Sequence, residues 1–491
     1  MNDLLHGLTG RVVIPTNPIY DQARQGYNRA IQQYPLIIDY CRKKRDVSNA
    51  VIWSKAFHVP IRIRNGGHNY EGYSNGNCTL VIDVSGMNRI DLDECENLLY
   101  VQGGITNRQV YEFLSSKGYP FPGGTCPTVG VCGYAMGGGW GLSCRYLGLG
   151  CDSLEEIELV NYEGTIIKAD RARNADLFWA CRGAGGGNFG VVVSMKFRLP
   201  LKTDKVTLIE IDYLHVSPEE QEEFLQTWQE WLHDADPGMT LISRIYNSVN
   251  DGLAMLVRGI FYGKPEQAEK ILKPFLELSG AESSIDYMPF LEAVTIIGSS
   301  YPASEKFQSS SRFVLKDFSL CAISKLTGLI QERSQGSVFA GLSMYALGGR
   351  VREVGADETA FFYRNAHFII WLETVWEENR FADENREWIN ERFPTLASVT
   401  TGAYVNFPYQ ELPDYLEEYY GSHVGRLKRI KERYDPFNVF SFPQGIGGND
   451  LRLPAQTFEK DQNETSAKRS DDADYRGFRY VKRKSGSDRA S

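Results

Sequence analysis

Two glycine-rich segments each carry one side chain that is nucleophilic near neutral pH. His68 follows a Gly pair in segment 62–74, and Cys126 lies between Gly-Gly-Thr and Pro in segment 123–141. A neutral imidazole and a thiolate can both add to an electron-poor ring. An isolated His or Cys, however, is more often a hydrogen-bonded turn residue or a small buried one. The chemistry therefore depends on whether the two segments act together.

The glycines of both segments favour anion binding. Gly has no side chain and adopts positive φ angles, so backbone N–H groups can approach a phosphate closely without a helix. A third run, with Gly185, Gly187 and Gly190, has the spacing G-x-G-x-x-G. In a dinucleotide-binding fold, such a run follows a strand and opens a helix. This run does not have that context, so a dinucleotide-binding fold is not indicated.

Other common sites are not indicated. The seven His are scattered, and Cys126, Cys132, Cys144 and Cys151 lack paired C-x-x-C spacing, so no metal site is predicted. No P-loop is present either, since no Gly-Lys-Ser/Thr stands at the required spacing.

Strand and helix patterns alternate over residues 36–200. Strands are predicted at 79–85, 96–104 and 191–199, a hairpin at 156–170, and helices from Thr106 to Gly118 and at 176–182.

The pattern changes after Pro200. Ser217, Pro218 and Glu220 form a capping box with Pro at the first helical position. The apolar residues that follow fall on one helical face, and apolar strand runs such as 366–376 come later. Residues 201–404 therefore read as a separate α+β unit.

Composition limits the function further. The chain has 491 residues, and 53 Lys and Arg oppose 62 Asp and Glu, which gives a net charge of −9. This balance argues against nucleic-acid or membrane-surface partners. No signal-peptide or membrane-span pattern is found, and the nine Cys are sparse and odd in number, so a cytoplasmic protein with reduced thiols is expected. Residues 448–491 are rich in both charges and predict a disordered tail.

Segments 62–74 and 123–141, with the closing IKERYDPFNVFSFPQGI at 430–446, resemble the berberine bridge enzyme-like family of FAD-linked oxidases. The resemblance runs over residues 10–447. It implies an α+β fold: a two-subdomain FAD-binding domain of the vanillyl-alcohol-oxidase type, and a substrate domain with an antiparallel sheet. The implied domains are 1–200 for FAD, 201–404 for substrate and 405–447 as the return to the FAD domain.

The same resemblance implies a bicovalent FAD, with His68 bonded to the 8-methyl carbon of the isoalloxazine and Cys126 to C6. The residues it assigns to cofactor binding are Asn65, Gly66, Gly67, His68, Asn69, Cys126, Thr128, Val129, Gly130, Gly133, Gly190, Val192 and Asn438.

The catalytic positions depart from the family pattern. Many members have Tyr-x-Asn-Tyr where this chain ends the motif in Phe407, and the final Tyr is the usual general base. Members also often have His at Tyr134 and Tyr at Trp140. The general-base candidates are therefore Tyr70, Tyr134 and Tyr404, although these phenols could instead only line the pocket. If 404–407 is a strand, Tyr404 points to the side opposite Phe407.

Two functions remain open. The first is an oxidase that takes a hydride from an alcohol-type carbon of a sugar or secondary-metabolite-like substrate and passes electrons to O2. The second is a covalent flavoprotein with a binding, coat or structural role. The resemblance favours O2 as acceptor, because Val rather than Leu stands at the gating position, Val129. The oligomeric state is left open.

Overall fold

The computed structural model of the protein describes residues 5–448, which fold around three β-sheets. These residues belong to one compact unit, Met1–Leu453. The predicted tail lies outside the described residues, apart from its first residue.

The first sheet carries segment 62–74 at the end of one of its strands. Its order is β1-β2-β4-β3, with β1 antiparallel to β2 and the other pairs parallel. The strands β2 and β4 are buried and rich in Ile, Leu and Val, as is usual for parallel strands covered on both faces. Its strands are β1 Arg11–Val13, β2 Ile37–Tyr40, β3 Ile61–Arg64 and β4 Leu80–Asp83.

The second sheet is antiparallel, with the order β5-β6-β9-β7-β8. It contains the predicted hairpin and the predicted strands near 100 and 195. Segment 123–141 packs against this sheet through the buried Val131 and Ala135. Its strands are β5 Ile90–Asp93, β6 Leu98–Gln102, β7 Leu154–Val160, β8 Ile166–Asp170 and β9 Val191–Arg198.

The third sheet has seven antiparallel strands in the order β13-β10-β12-β11-β15-β16-β14. All of its strands lie between residues 205 and 376, within the segment predicted to be the substrate domain. The strands are β10 Lys205–Tyr213, β11 Met239–Ser248, β12 Gly252–Phe261, β13 Glu282–Pro289, β14 Phe307–Val314, β15 Ser337–Ala346 and β16 Phe368–Trp376.

Helices pack on and between these sheets. The α-helices are α1 Tyr20–Ala23, α2 Lys44–Phe57, α3 Asn107–Ser115, α4 Val131–Met136, α5 Cys144–Leu147, α6 Ala175–Ala180, α7 Pro218–Asp234, α8 Pro265–Ile271, α9 Lys273–Leu276, α10 Phe290–Ser299, α11 Leu320–Gly328, α12 Arg350–Glu353, α13 Ala382–Ala397, α14 Tyr415–Tyr420 and α15 Val424–Tyr434.

Helix α7 confirms the predicted capping box. The Ser217 hydroxyl accepts a hydrogen bond from the Glu220 N–H (3.2 Å), and the Glu220 carboxylate accepts one from the Ser217 N–H (2.7 Å). These bonds satisfy two N–H groups that the first helical turn leaves without a partner. The predicted apolar stripe of this helix is buried in the core.

The mixture of helices with largely antiparallel sheets confirms the α+β fold class. Within residues 5–448, no helix is long and apolar enough to cross a membrane. The same residues form no cluster of three or more His, Cys, Asp or Glu arranged to hold a metal ion. The predicted domain boundaries stay a prediction.

Candidate active site

A cavity of about 600 Å³ lies between the glycine-rich segments and one face of the seven-stranded sheet. The predicted site residues line it, with the exceptions of Thr128 and Asn438. Those in the lining are Asn65, Gly66, Gly67, His68, Asn69, Tyr70, Cys126, Val129, Gly130, Gly133, Tyr134, Gly190, Val192 and Tyr404.

The structure brings the two predicted nucleophiles to one hydroxyl group. The Oγ1 atom of Thr128 lies 2.8 Å from Nε2 of His68 and 3.5 Å from Sγ of Cys126. Both side chains also line the cavity. Two distant parts of the chain therefore present an imidazole and a thiol to the same region. Thr128 belongs to the site as their shared hydrogen-bond partner.

His68 is held in its neutral form. Burial lowers its pKa to about 4, because a charged imidazolium loses hydration there. The Tyr27 ring stacks on the imidazole with ring centres 4.4 Å apart. A neutral imidazole keeps a lone pair on one nitrogen, which a nucleophile needs.

The glycines form a close-packed wall with open space in front of it. A Cβ atom on Gly130 would lie 2.4 Å from the Asn65 side chain, and one on Gly66 would lie 2.7 Å from the Gly130 nitrogen. A Cβ on Gly133 would have no heavy atom within 4 Å, although Gly133 lines the cavity. The Oδ1 atom of Asn65 is buried and has no hydrogen-bond partner among the described residues. This wall, with its free acceptor, fits the flavin that the resemblance implies.

The other predicted cofactor residues shape the loops. The Asn69 side chain accepts hydrogen bonds from the N–H groups of Glu71 (3.1 Å) and Tyr73 (3.0 Å), which fixes the turn after His68. Asn438 is buried at a positive φ of 51° and donates to the Gly447 carbonyl (3.0 Å), so it holds the returning segment in place.

Tyr404 accepts three hydrogen bonds at its hydroxyl oxygen. The donors are the N–H groups of Gly139 (3.1 Å) and Trp140 (3.2 Å) and the side-chain amide of Asn406 (3.1 Å). Burial raises the pKa of Tyr404 to about 12, and these hydrogen bonds oppose the rise only in part. The neutral phenol therefore dominates at neutral pH.

Tyr134 is also held as a neutral phenol. Its hydroxyl lies within hydrogen-bond distance of the backbone carbonyls of Pro122 (3.0 Å) and Gly139 (2.8 Å). Donation to a carbonyl favours the protonated form, and burial raises the pKa of Tyr134 well above its usual value. Tyr134 therefore supports the glycine-rich loop, whereas a general base would need a lower pKa.

Tyr70 belongs to an aromatic cluster that lines the cavity. Its ring stacks on Phe407 (5.3 Å between centres, 10° between planes) and meets Phe307 edge to face (4.9 Å). Trp371 completes the contact at 5.6 Å. Burial raises the pKa of Tyr70 well above its usual value. All three tyrosines have raised pKa values, which disfavour a role as general base. Their assignment to that role stays a prediction.

The strand alternation expected for residues 404–407 is wrong. These residues form a turn in which the Phe407 N–H donates to the Tyr404 carbonyl (2.9 Å). In consequence both rings lie on the same side, with centres 5.0 Å apart. The Phe407 ring fills the place between Tyr404 and Tyr70, so the altered motif remains well packed.

Sequence reasoning missed Glu373, which stands in the middle of β16. Only 3% of this residue is exposed, yet it lines the cavity. No described group hydrogen-bonds to its carboxylate, and the nearest cation, Nη2 of Arg244, lies 3.4 Å from Oε1. Burial raises the pKa of Glu373 to about 8, Arg244 opposes the rise, and Glu305 adds to it. A signal was present: Glu373 is the one charged residue in the apolar run FIIWLETVW.

The register of the sheet explains why Glu373 reaches the cavity. Side chains alternate along a strand, so residues two apart share a face. The lining residues on β16 are Trp371, Glu373 and Val375, and those opposite them on β15 include Phe339. This face is aromatic and aliphatic around a single carboxyl group on β16.

Comparisons with known proteins agree with this architecture. The FAD binding domain family matches residues 35–170, and the berberine and berberine-like family matches residues 403–447. The FAD-linked oxidoreductase YgaK of Bacillus subtilis is 36% identical over 447 residues, covering 89% of this chain and 97% of YgaK.

Two solved structures have the same fold. The berberine bridge enzyme-like protein 1 of Physcomitrella patens superposes with a TM-score of 0.84 at 26% identity, covering 91% of this chain and 98% of that one. A carbohydrate oxidase from Microdochium nivale gives 0.82 at 21% identity, with coverages of 91% and 98%. Since YgaK aligns along nearly its whole length and both family domains are present, the chain belongs to the berberine bridge enzyme-like family of FAD-linked oxidoreductases.

Proposed function

We propose that this enzyme oxidises an alcohol-type carbon of a small sugar or secondary-metabolite-like substrate, uses O2 as acceptor and produces H2O2. The observation that carries the proposal is the buried carboxyl group of Glu373 in the cavity that His68 and Cys126 also line. FAD, when bound, would supply the acceptor for a hydride from the substrate carbon and the route by which the electrons reach O2.

We assign Glu373 the role of general base. Its ionised carboxylate takes the proton of the substrate hydroxyl as the hydride leaves the carbon that bears this hydroxyl. A general base works best when its pKa lies near the working pH. The pKa of Glu373, about 8, meets that condition better than the raised pKa values of the three tyrosines. Glu373 thus supplies the base that Phe407 cannot provide.

The aromatic wall positions the substrate. Tyr70, Phe307, Trp371 and Phe407 form one packed surface beside Glu373. Ring faces of this kind bind the apolar face of a sugar as well as an aromatic ring. Names among the similar proteins are consistent with both classes: a carbohydrate oxidase and a tetrahydroberberine oxidase.

Anaerobic mixing with a panel of sugars and aromatic alcohols tests the proposal. At least one member should bleach the oxidised flavin band, and admission of air should restore the band with formation of H2O2. A protein that is photoreduced normally but is not bleached by any sugar or alcohol would contradict an alcohol-oxidising function.

The acceptor can be tested at Val129. This residue lines the cavity in the same loop as Cys126. Leu is larger and would narrow access to the flavin, so Val129→Leu should slow reoxidation of photoreduced enzyme in aerated buffer by an order of magnitude. Val338→Leu, a matched change on the sheet side of the cavity, should not. Wild-type flavin that stays reduced in air for many minutes would exclude O2 as the acceptor.

The cofactor space can be tested at Gly133. The site of a Cβ atom on this residue is empty, so Val there should leave the fold intact and occupy the cavity. We expect Gly133→Val to be folded but to contain little FAD. Gly328→Val, which also adds a side chain in open space but away from the cavity, is the control. An unchanged FAD content in Gly133→Val would show that the flavin lies elsewhere.

A further inference from the structure

Arg244 reaches Glu373 across an intervening strand. The two residues stand on β11 and β16, with β15 between them. Arg244 lies opposite Ser343 on β15, and Glu373 lies opposite Gly341, two residues earlier on that strand. All the side chains of this row share the cavity face of the sheet, because residues two apart point the same way. The guanidinium thus crosses β15 diagonally to come within 3.4 Å of the carboxylate.

The crossing depends on small side chains on β15. Nε of Arg244 donates a hydrogen bond to the Ser343 hydroxyl (2.7 Å), and the guanidinium lies over the Phe339 ring at 5.3 Å. A Cβ atom on Gly341 would lie 2.9 Å from that ring and 3.4 Å from Cβ of Tyr246. A larger residue at 341 would therefore displace the ring that supports the guanidinium.

A neighbouring cation shows that this contact is specific. Arg258 also lines the cavity, but its guanidinium forms two hydrogen bonds with Asp212 (2.6 and 2.8 Å) and donates to the Ile211 carbonyl (3.0 Å). Its charge is already compensated by these partners. Within residues 5–448, the carboxylates that interact with Arg244 are Glu373, with which it forms an ion pair, and Glu305.

Burial and one like charge favour the protonated carboxyl of Glu373. Burial has the largest effect, and Glu305, from the segment before β14, adds a like charge. The negative charge of Glu373 in turn raises the pKa values of four phenols from other elements, which are Tyr27, Tyr70, Tyr301 and Tyr345. None of these groups is a cation. Arg244 is therefore the neighbour that favours the carboxylate, and the same contact favours its own charged form despite burial.

We propose that Arg244 is a positioning residue which, held across β15 by Ser343 and Phe339, favours the proton-accepting form of Glu373. The inference rests on the proposed role of Glu373 as general base. It assigns Arg244 no contact with the substrate; the residue acts through the ionisation of Glu373.

Infrared difference spectroscopy of flavin-loaded protein can follow this ionisation without any substrate. The C=O band of a protonated carboxyl group disappears when the group ionises, and the band that Glu373→Gln lacks is assigned to Glu373. The midpoint should move to higher pH by about one unit or more in Arg244→Gln, because an opposite charge at this distance shifts a pKa by roughly 1–3 units. Arg244→Lys keeps the charge but lacks the Nε–H that bonds to Ser343, so its midpoint should lie between those of wild type and Arg244→Gln. Arg258→Gln is the matched control.

An unchanged midpoint in Arg244→Gln would overturn the inference, as would an equal shift in Arg258→Gln. If Arg244→Gln does not fold, Ser343→Ala provides a second test. It removes the hydroxyl that holds Nε and keeps both charges, so the midpoint should again rise, and an unchanged value would overturn the inference. If Glu373→Gln reduces its flavin at the wild-type rate, Glu373 is not the general base. The effect of Arg244 on the ionisation of Glu373 would still be supported by the infrared titration.

Discussion

Glu373→Gln should lower the rate of flavin reduction by substrate by about 10²-fold or more, the usual contribution of a positioned general base. Gln has nearly the same shape but cannot accept a proton at its side chain in this range of pH. The bound flavin and its absorption spectrum should remain, since Glu373 lies on the sheet and not in the loops that hold His68 and Cys126.

Thermal stability gives a control for this variant. The pKa of Glu373 is raised in the folded protein to about 8 from an ordinary 4.5. The folded state therefore binds a proton that the unfolded state releases between these values, and the stabilisation from this site is lost as pH rises through 8. Gln has no such dependence, so the stability of Glu373→Gln relative to wild type should rise between pH 4.5 and 8 and stay at the higher level above pH 8. A variant that is inactive and also less stable there would indicate misfolding.

Tyrosine replacements separate Glu373 from the earlier candidates. Tyr70→Phe, Tyr134→Phe and Tyr404→Phe each remove one hydroxyl and keep the ring. We expect Tyr70→Phe to lower the rate of flavin reduction only a few-fold. In Tyr134→Phe and Tyr404→Phe the rate should fall only as far as the glycine-rich loop is destabilised, because those hydroxyls bond to its backbone. A loss of about 10²-fold at one tyrosine, with Glu373→Gln near wild type, would return the base role to that phenol.

The largest effect on the cofactor is expected for the pair His68 and Cys126. Wild-type protein should be yellow, and the colour should stay with the polypeptide after acid precipitation. His68→Ala and Cys126→Ala should each keep one linkage, whereas the double replacement should release all of its flavin. The shared contact with Thr128 places both side chains at one part of the cavity, as a doubly linked flavin requires.

Mass spectrometry of flavin-bearing peptides can verify each linkage separately. Peptides that contain residue 68 and residue 126 should both carry flavin mass in wild type. Cys132→Ala is a matched control, because Cys132 lies in the same segment and is buried beside the cavity. Quantitative release of flavin from wild-type protein on precipitation would refute covalent attachment.

Much of the fold could be predicted because its signals are local. The capping box at Ser217, the hairpin at 156–170 and helix α3 after Thr106 each depend on a few adjacent residues. The pairing order of the seven-stranded sheet could not be predicted in this way. It joins β11 to β15, which lie nearly 100 residues apart, and no short motif encodes that contact.

The site was predicted where its residues belong to motifs and missed where they do not. His68 and Cys126 stand in glycine-rich segments, which the sequence makes visible. Glu373 belongs to an apolar strand, and its place in the cavity depends on the register with β14 and β15. The turn at 404–407 was missed for a related reason, since a single hydrogen bond from Phe407 reverses the chain where the residue types permit a strand.

The pH dependence of flavin reduction, measured anaerobically at saturating substrate for wild type and Glu373→Gln, tests the role of Glu373 most directly. The carboxylate is the active form, so the wild-type rate should rise with pH around a midpoint near 8. That midpoint should be absent from the residual rate of Glu373→Gln. A wild-type rate that is independent of pH between 6 and about 9.5, or a midpoint that persists in the variant, would contradict the assignment of Glu373 as general base.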